Sequence, residues 1–409
     1  MDRIAITGLG IVTPSGIGTR QFWANIKSGR SFIKQITRFE SAKYPSRIAG
    51  QIDDLEKYST ISERLLKKID AFSHMALIAS EMALQDSGID IKKEDPNLVG
   101  IFLGNALGGW LYAETELRDL YIEGREGVSP YMASAWFPAA PQGQVSIHYG
   151  IKGFSKTVVA DRASSLMALG YATKILGKNK LNMILAGGME APVTPYALLC
   201  CNTYGGLSTD NEHPESAYRP FDKKRGGFVI GEGAGIVVLE STARAKSRGA
   251  GIKAVITGYG VTCDGVNRIN PASDGKELAR AIQMALLDAK TNPQDIDYIS
   301  LDGLALDLWD NGEVAAIKEV FGSRIKDIPV SCPKSMFGNL LGASGAVDLI
   351  AAILAMEHDL IPPTVNLDQP AVNGLYYIGK QAAEHKINRA MVISRGRGGI
   401  NSVLIVEKP

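Results

Sequence analysis

The sequence is poor in the residues that build metal centres and disulfide frameworks. It has 4 cysteines and 5 histidines in 409 residues. Cys200, Cys201, Cys263 and Cys332 lack CxxC spacing and the histidines are scattered, so no zinc motif is present. Four cysteines are also too few to staple a chain of this length, and a reducing cytoplasmic setting is expected. Neither sign of charge is in excess. With 44 basic and 43 acidic residues the formal net charge is +1, which gives no field to draw nucleic acid or an anionic membrane. No apolar run reads as a membrane span. Met1–Ile6 reads as a first strand and not as a secretion signal. A dinucleotide fingerprint is missing as well. Gly8-Leu9-Gly10 follows that strand, but the third glycine would fall on Thr13, and Pro14 stands where a helix should open. The pair is expected to form a tight turn after the strand.

A composition of 45% hydrophobic and 21% charged residues is that of a globular chain, long enough for two or more cores. The chain also repeats itself. A helix ending Met82-Ala83-Leu84-Gln85-Asp86-Ser87 leads to the apolar strand 99–103, and a helix ending Met284-Ala285-Leu286-Leu287-Asp288-Ala289 leads to strand 297–301. Capping boxes are expected to open both helices, at Thr60–Glu63 and Asp274–Glu277. Strand 157–160 runs into a small-residue helix opening Ala163-Ser164-Ser165, and strand 328–331 is followed by Gly342-Ala343-Ser344-Gly345. Each half closes on a strand, 235–239 and 402–406. Apolar strands alternating with helices imply sheets buried on both faces. The reading is two fused αβ halves, 1–249 and 250–409.

Several motifs in one order resemble the β-ketoacyl synthases. They are Ala186-Gly187-Gly188-Met189-Glu190, Arg219-Pro220-Phe221-Asp222, residues 227–235, Lys334-Ser335 with Gly338, and 342–345. The resemblance runs from end to end. It implies an α/β thiolase-like fold with two pseudo-repeat halves in five layers, αβαβα. Active members acylate a cysteine at the N-terminus of a buried helix, where the dipole favours a thiolate, and two histidines assist. The matching positions here are Arg162, Asp302 and Asn339, the second fixed by Asp310 and Glu313 downstream. A guanidinium cannot be a nucleophile. Ser164 and Ser165 have no evident activating histidine. Cys332, Cys200 and Cys201 read as packing residues. No catalytic residue is therefore assigned. An Arg buried at a helix N-terminus needs a partner, and Asp302 is expected to neutralise it, with Asn339 completing the hydrogen bonds. The simpler alternatives are a side chain turned to solvent or paired with Asp161.

Arg395 and Arg397 stand in the loop where active synthases carry Gly-Phe-Gly-Gly. With the lost nucleophile they make the chain similar to the chain-length factors of type II polyketide synthases. The resemblance implies a non-catalytic subunit in a heterodimer with an active ketosynthase, lining a tunnel for the poly-β-ketone. Acyl carrier protein would be met through the complex, its phosphopantetheine serving the partner, with no cofactor on this chain. Residues 108–117 match the tunnel-gating helix. Trp110, Ala113 and Leu117, spaced i, i+3, i+7, would share a face, and Ser134 matches a further lining position. Most such stripes are ordinary core. Two other readings stand beside this one: a homodimeric acyltransferase or decarboxylase using a different nucleophile, and a purely structural partner that never touches the product.

Overall fold

The computed structural model describes residues 3–178 and 180–409. The first half is built from β1 (Ile4–Thr13), α1 (Ala71–Ser87), β2 (Val99–Gly104), α2 (Trp110–Glu123), α3 (Ala140–Tyr149), β3 (Ser155–Val158), α4 (Ser164–Leu176), β4 (Met183–Glu190), α5 (Pro195–Tyr204) and β5 (Gly233–Ser241). The second is built from β6 (Ala254–Cys263), α6 (Lys276–Ala289), β7 (Tyr298–Ser300), α7 (Asp307–Phe321), β8 (Pro329–Ser331), α8 (Ser344–His358), β9 (Arg389–Gly396) and β10 (Ile400–Glu407). The strand order is β1-β5-β4-β2-β3 in one half and β6-β10-β9-β7-β8 in the other, the same permutation twice. β1 and β6 join the halves through the antiparallel pairs Ile4↔Ile256, Ala5↔Val255 and Ile6↔Ala254.

Five layers follow from which faces are apolar. β1, β2, β4, β5 and β10 are buried almost throughout, so each half must be covered on both sides. α1 covers the outside of β1 and β5, and α6 covers β6 and β10. α4 and α8 lie between the halves, α4 against β2 and β4 and α8 against β5 and β9. They share one cluster with strand residues of both halves. The stretch Leu341–His358 is long and apolar enough to cross a membrane, contrary to the expectation from sequence, but it is 89% buried in this middle layer. This is the thiolase-like αβαβα architecture.

Two local expectations are corrected. Gly8 and Gly10 form no turn: β1 runs straight through them, with a bulge between Ile6 and Gly8. They are glycines because α1 packs on the strand so closely that a Cβ on Gly10 would sit 1.8 Å from the Ala79 carbonyl oxygen. The expected capping boxes are not formed. Ser62 precedes a separate turn, Glu63–Leu66, without a side-chain cap. α1 starts later, on Asp70, whose carboxylate accepts the Phe72 N–H at 3.1 Å and the Tyr112 N–H at 2.7 Å. A cap that serves two helices outcompetes one that serves a single turn. At α6 the N-cap is Gly275 at φ 66, and Glu277 turns to Arg280.

Candidate functional site

The site is built where β3 turns into α4. Asp161 occupies the left-handed region at φ 50, which makes the elbow sharp. Ser164 staples it: its Oγ accepts the Ala160 N–H at 2.8 Å and lies 2.6 Å from the Asp161 carbonyl and 2.9 Å from that of Asn105. Ser165 Oγ accepts the Ala346 N–H from the other half at 3.0 Å. Both hydroxyls are thus committed to structure. Cys332 is buried, and desolvation raises its thiol well above the usual range despite Lys334 nearby. Burial likewise pushes Cys201 up to about 11. A thiol held protonated is a poor nucleophile.

Arg162 precedes α4 and is 1% exposed. Its Nη1 pairs with Asp161 Oδ2 at 3.1 Å, and its Cζ lies 4.5 Å from the Trp309 ring centroid. Nε and Nη2 have no hydrogen-bond partner among the described residues. The expected Arg162–Asp302 pair is not formed. Asp302 Oδ1 instead accepts the Arg395 N–H at 3.2 Å and lies 4.0 Å from Lys334 Nζ. Lys334 is the reason: it donates to the Asp302 carbonyl at 3.0 Å and sits 2.6 Å from Asp348 Oδ2, so Asp302 already has a cation beside it. Burial opposes a charged lysine, but Asp348 and Asp302 outweigh it and hold Lys334 above its ordinary value. Asn339 does not complete the arrangement either. Its Oδ1 accepts from Leu341 N–H at 3.0 Å and Ser344 Oγ at 3.2 Å, which fixes the start of α8.

Three buried carboxylates hold the loops that shape this pocket. Glu313 accepts the N–H groups of Asp302 at 2.8 Å and Gly303 at 3.0 Å. Asp310 accepts those of Phe221 at 2.8 Å and of Leu304 and Ala305 at 3.0 Å. Phe221 and Ala305 have φ of 63 and 57, so Asp310 fastens two strained turns. Glu190, quoted in a motif but given no role by the sequence, accepts Ala106, Leu107 and, across the halves, Gly342. Burial pushes Asp310 up to about 7 and Glu190 up to about 8 against the pull of these donors. Desolvation and the Asp302 charge push Glu313 to about 7.

Trp309 was not legible as a site residue, since no motif or period singles it out. Arg395 Cζ lies 5.1 Å from its ring, and Arg395 Nη1 donates to its carbonyl at 2.7 Å. The Arg397 N–H donates to Asp161 Oδ2 at 2.7 Å. Beside these groups lies a cavity of about 240 Å³, whose lining includes Arg162, Trp309, Leu306 and Arg397.

The proposed gate positions lie apart from this pocket. Trp110 packs on Tyr196 with ring centroids 4.4 Å apart. Ala113 is buried, whereas Leu117 is 38% exposed and Ser134 is exposed, its Oγ donating to the Tyr131 carbonyl at 3.0 Å. The helical spacing does not give one buried face. α2 turns Ala113 and Glu116 inward and leaves Leu117, Leu120, Tyr121 and Ile122 outside. Among the described residues no three His, Cys, Asp or Glu side chains converge as a metal site would require.

Two repeated αβ halves, a strained strand-to-helix elbow between them and a buried lysine braced by carboxylates define a ketosynthase-type protein of the thiolase-like fold. Residues 1–245 match the β-ketoacyl synthase N-terminal domain and residues 253–368 its C-terminal domain. The chain belongs to the β-ketoacyl synthase family. It is 36% identical over 410 residues to the tetracenomycin polyketide synthase ketoacyl synthase beta subunit of Streptomyces glaucescens, covering 99% of this chain and 98% of that protein. It is 34% identical over 407 residues to 3-oxoacyl-[acyl-carrier-protein] synthase 2 of Coxiella burnetii, with the same two coverages. The structure of the ishigamide ketosynthase/chain length factor matches with a TM-score of 0.92 at 28% identity, covering 100% of this chain and 99% of that one.

Proposed function

We propose that this chain is the non-catalytic, chain-length-determining subunit of a type II polyketide synthase, working in the cytoplasm beside an active ketosynthase subunit. The observation that carries this reading is the elbow itself. The helix-N-terminal position holds Arg162, paired to Asp161, with Asp302 and Asn339 committed to structural contacts. Neighbouring hydroxyls and buried thiols offer no activated replacement. Similarity to a ketoacyl synthase beta subunit and to a ketosynthase/chain length factor points the same way.

The surface supports a partner. β3 is the end strand of the sheet, and Phe154 and Val159 at its ends are exposed, as is Ile147 on α3. An open strand edge beside apolar side chains is normally covered. α2 and α5 pack on each other and expose Leu117, Tyr196 and Leu199. In this reading the poly-β-ketone grows from the partner into a tunnel near Trp110, Ala113, Leu117 and Ser134. Carrier protein delivers its phosphopantetheine-bound units to the partner.

Similarity to a 3-oxoacyl-[acyl-carrier-protein] synthase keeps a second reading in view, an acyltransferase or decarboxylase with another nucleophile. One experiment separates them. The chain is incubated with acetyl- and malonyl-loaded carrier protein, alone and with a co-expressed ketosynthase subunit, and each chain is weighed intact. Label on the partner only, with both chains co-eluting, is the expected result. Covalent label on this chain overturns it.

A further inference from the structure

We propose that the vacated pocket beside Arg162 is a binding site for a small carboxylate with a short apolar body. This rests on the reading above, in which the pocket has lost its condensing groups. The ligand class follows from the wall. Arg162 and Arg397 line the cavity, and among the described residues no Asp or Glu does. Phe228, Leu304, Leu306 and Trp309 make its apolar part. At about 240 Å³ it falls below the usual range for drug-sized ligands, roughly 300 Å³ and upward.

The second observation is the state of Arg162 itself. The side chain is 1% exposed, yet Nε and Nη2 have no hydrogen-bond partner among the described residues. These two nitrogens form one edge of the guanidinium, and their parallel N–H bonds are the fork that a carboxylate accepts with both oxygens. Asp161 takes only Nη1. The cation also sits at the N-terminus of α4, a helix of 13 residues, where the dipole adds positive potential. Both nitrogens are covered in the structure. Trp309, whose ring centroid lies 4.5 Å from Arg162 Cζ and which also lines the cavity, is the neighbour that would move aside for a carboxylate, exchanging a cation–π contact for two charge-assisted hydrogen bonds. The apolar body then lies against Phe228 and Leu306. The carboxylate has two possible sources, a free short-chain acid or the free carboxyl end of an acyl thioester.

The test titrates the full chain, alone and in complex with its ketosynthase partner, with butyrate, malonate, malonyl-pantetheine and inorganic phosphate. Heat of binding and tryptophan fluorescence are followed. Butyrate and malonate should bind, with a fluorescence change that Trp309→Phe removes. Arg162→Gln should weaken binding about tenfold or more. Leu306→Trp, which fills the cavity and leaves Arg162 in place, should do the same. Melting curves identify any variant that fails to fold. Malonyl-pantetheine binding more tightly than malonate assigns the site to a thioester, and the reverse order to a free acid; both uphold the site. Absence of binding to the wild type, equal binding by all variants, or phosphate binding as tightly as malonate overturns it. Co-elution and the position of covalent label are read on the same samples, so loss of the partner reading would be seen separately.

Discussion

At Arg162 a charge is buried with two of its three nitrogens idle, and that imbalance has a measurable consequence. An unpaired buried donor costs about 1–3 kcal/mol, and buried ion pairs are often replaced by apolar side chains without loss. Asp161 keeps 24% side-chain exposure and the Arg397 N–H. Arg162→Met therefore removes the idle donors without stranding a fully buried charge, and is expected to leave stability unchanged or raise it by about 1–3 kcal/mol in chemical denaturation. A marked loss would mean that the Trp309 contact outweighs the idle donors. Asp310 is the opposite case. It satisfies three buried N–H groups and fastens Phe221 and Ala305 at positive φ. Asp310→Ala should destabilise by about 3–5 kcal/mol, seen as a large fall in melting temperature or loss of soluble protein. Glu190 gives a pH signature. Its carboxyl is raised by burial from 4.5 to about 8, so its contribution is fully present below the unfolded value and is lost as pH rises through 8. The melting temperature of the wild type should fall relative to Glu190→Gln between about pH 5 and 8. A parallel pair of curves would show that Glu190 is ionised throughout. Flanking motifs single out Arg162, Asp302 and Asn339 by counting, and that they stand in place of reactive groups is what the resemblance implies. The sequence could not tell which charges meet, since Asp302 was claimed by Lys334 and Arg395 from other elements.

Among the elements, α2 shows best how spacing differs from burial. Ala113 is fully buried, so Ala113→Leu overpacks and should cost about 1–3 kcal/mol. Under the proposed function it should also shorten the product of the reconstituted complex. Leu117 is partly exposed in the single chain, so Leu117→Ala should change stability by less than about 0.5 kcal/mol while shifting products towards longer chains. Product masses that stay the same in both variants would favour a structural partner that never touches the chain. β1 teaches a related lesson. Its glycines were read as punctuation, but their reason lies in α1, far off in sequence, whose carbonyls press on the strand. The start of α1 shifts for a similar cause: Asp70 wins as a cap because it also holds Tyr112.

For the whole molecule, the repeated strand order brings both helix N-termini, of α4 and α8, into the space between the halves. Ser165 and Ala346 come from different halves and meet there only through this layering. The outer edge beside β3 is the other consequence of the topology. Ile147→Lys combined with Val159→Lys should abolish co-elution with the ketosynthase subunit and leave the melting temperature of the isolated chain nearly unchanged, because both side chains are already in water. Retained co-elution would place the partner elsewhere.

What the sequence determined by itself was the α/β class and the doubled unit, because these are properties of pattern. Tertiary structure alone decided that Arg162 pairs with Asp161 and leans on Trp309, that Lys334 holds Asp302, and that an acid-free cavity remains beside them. The physical reason is that a buried charge takes whichever partner the packed elements bring within a few ångströms, and that choice is made by residues far apart in the chain.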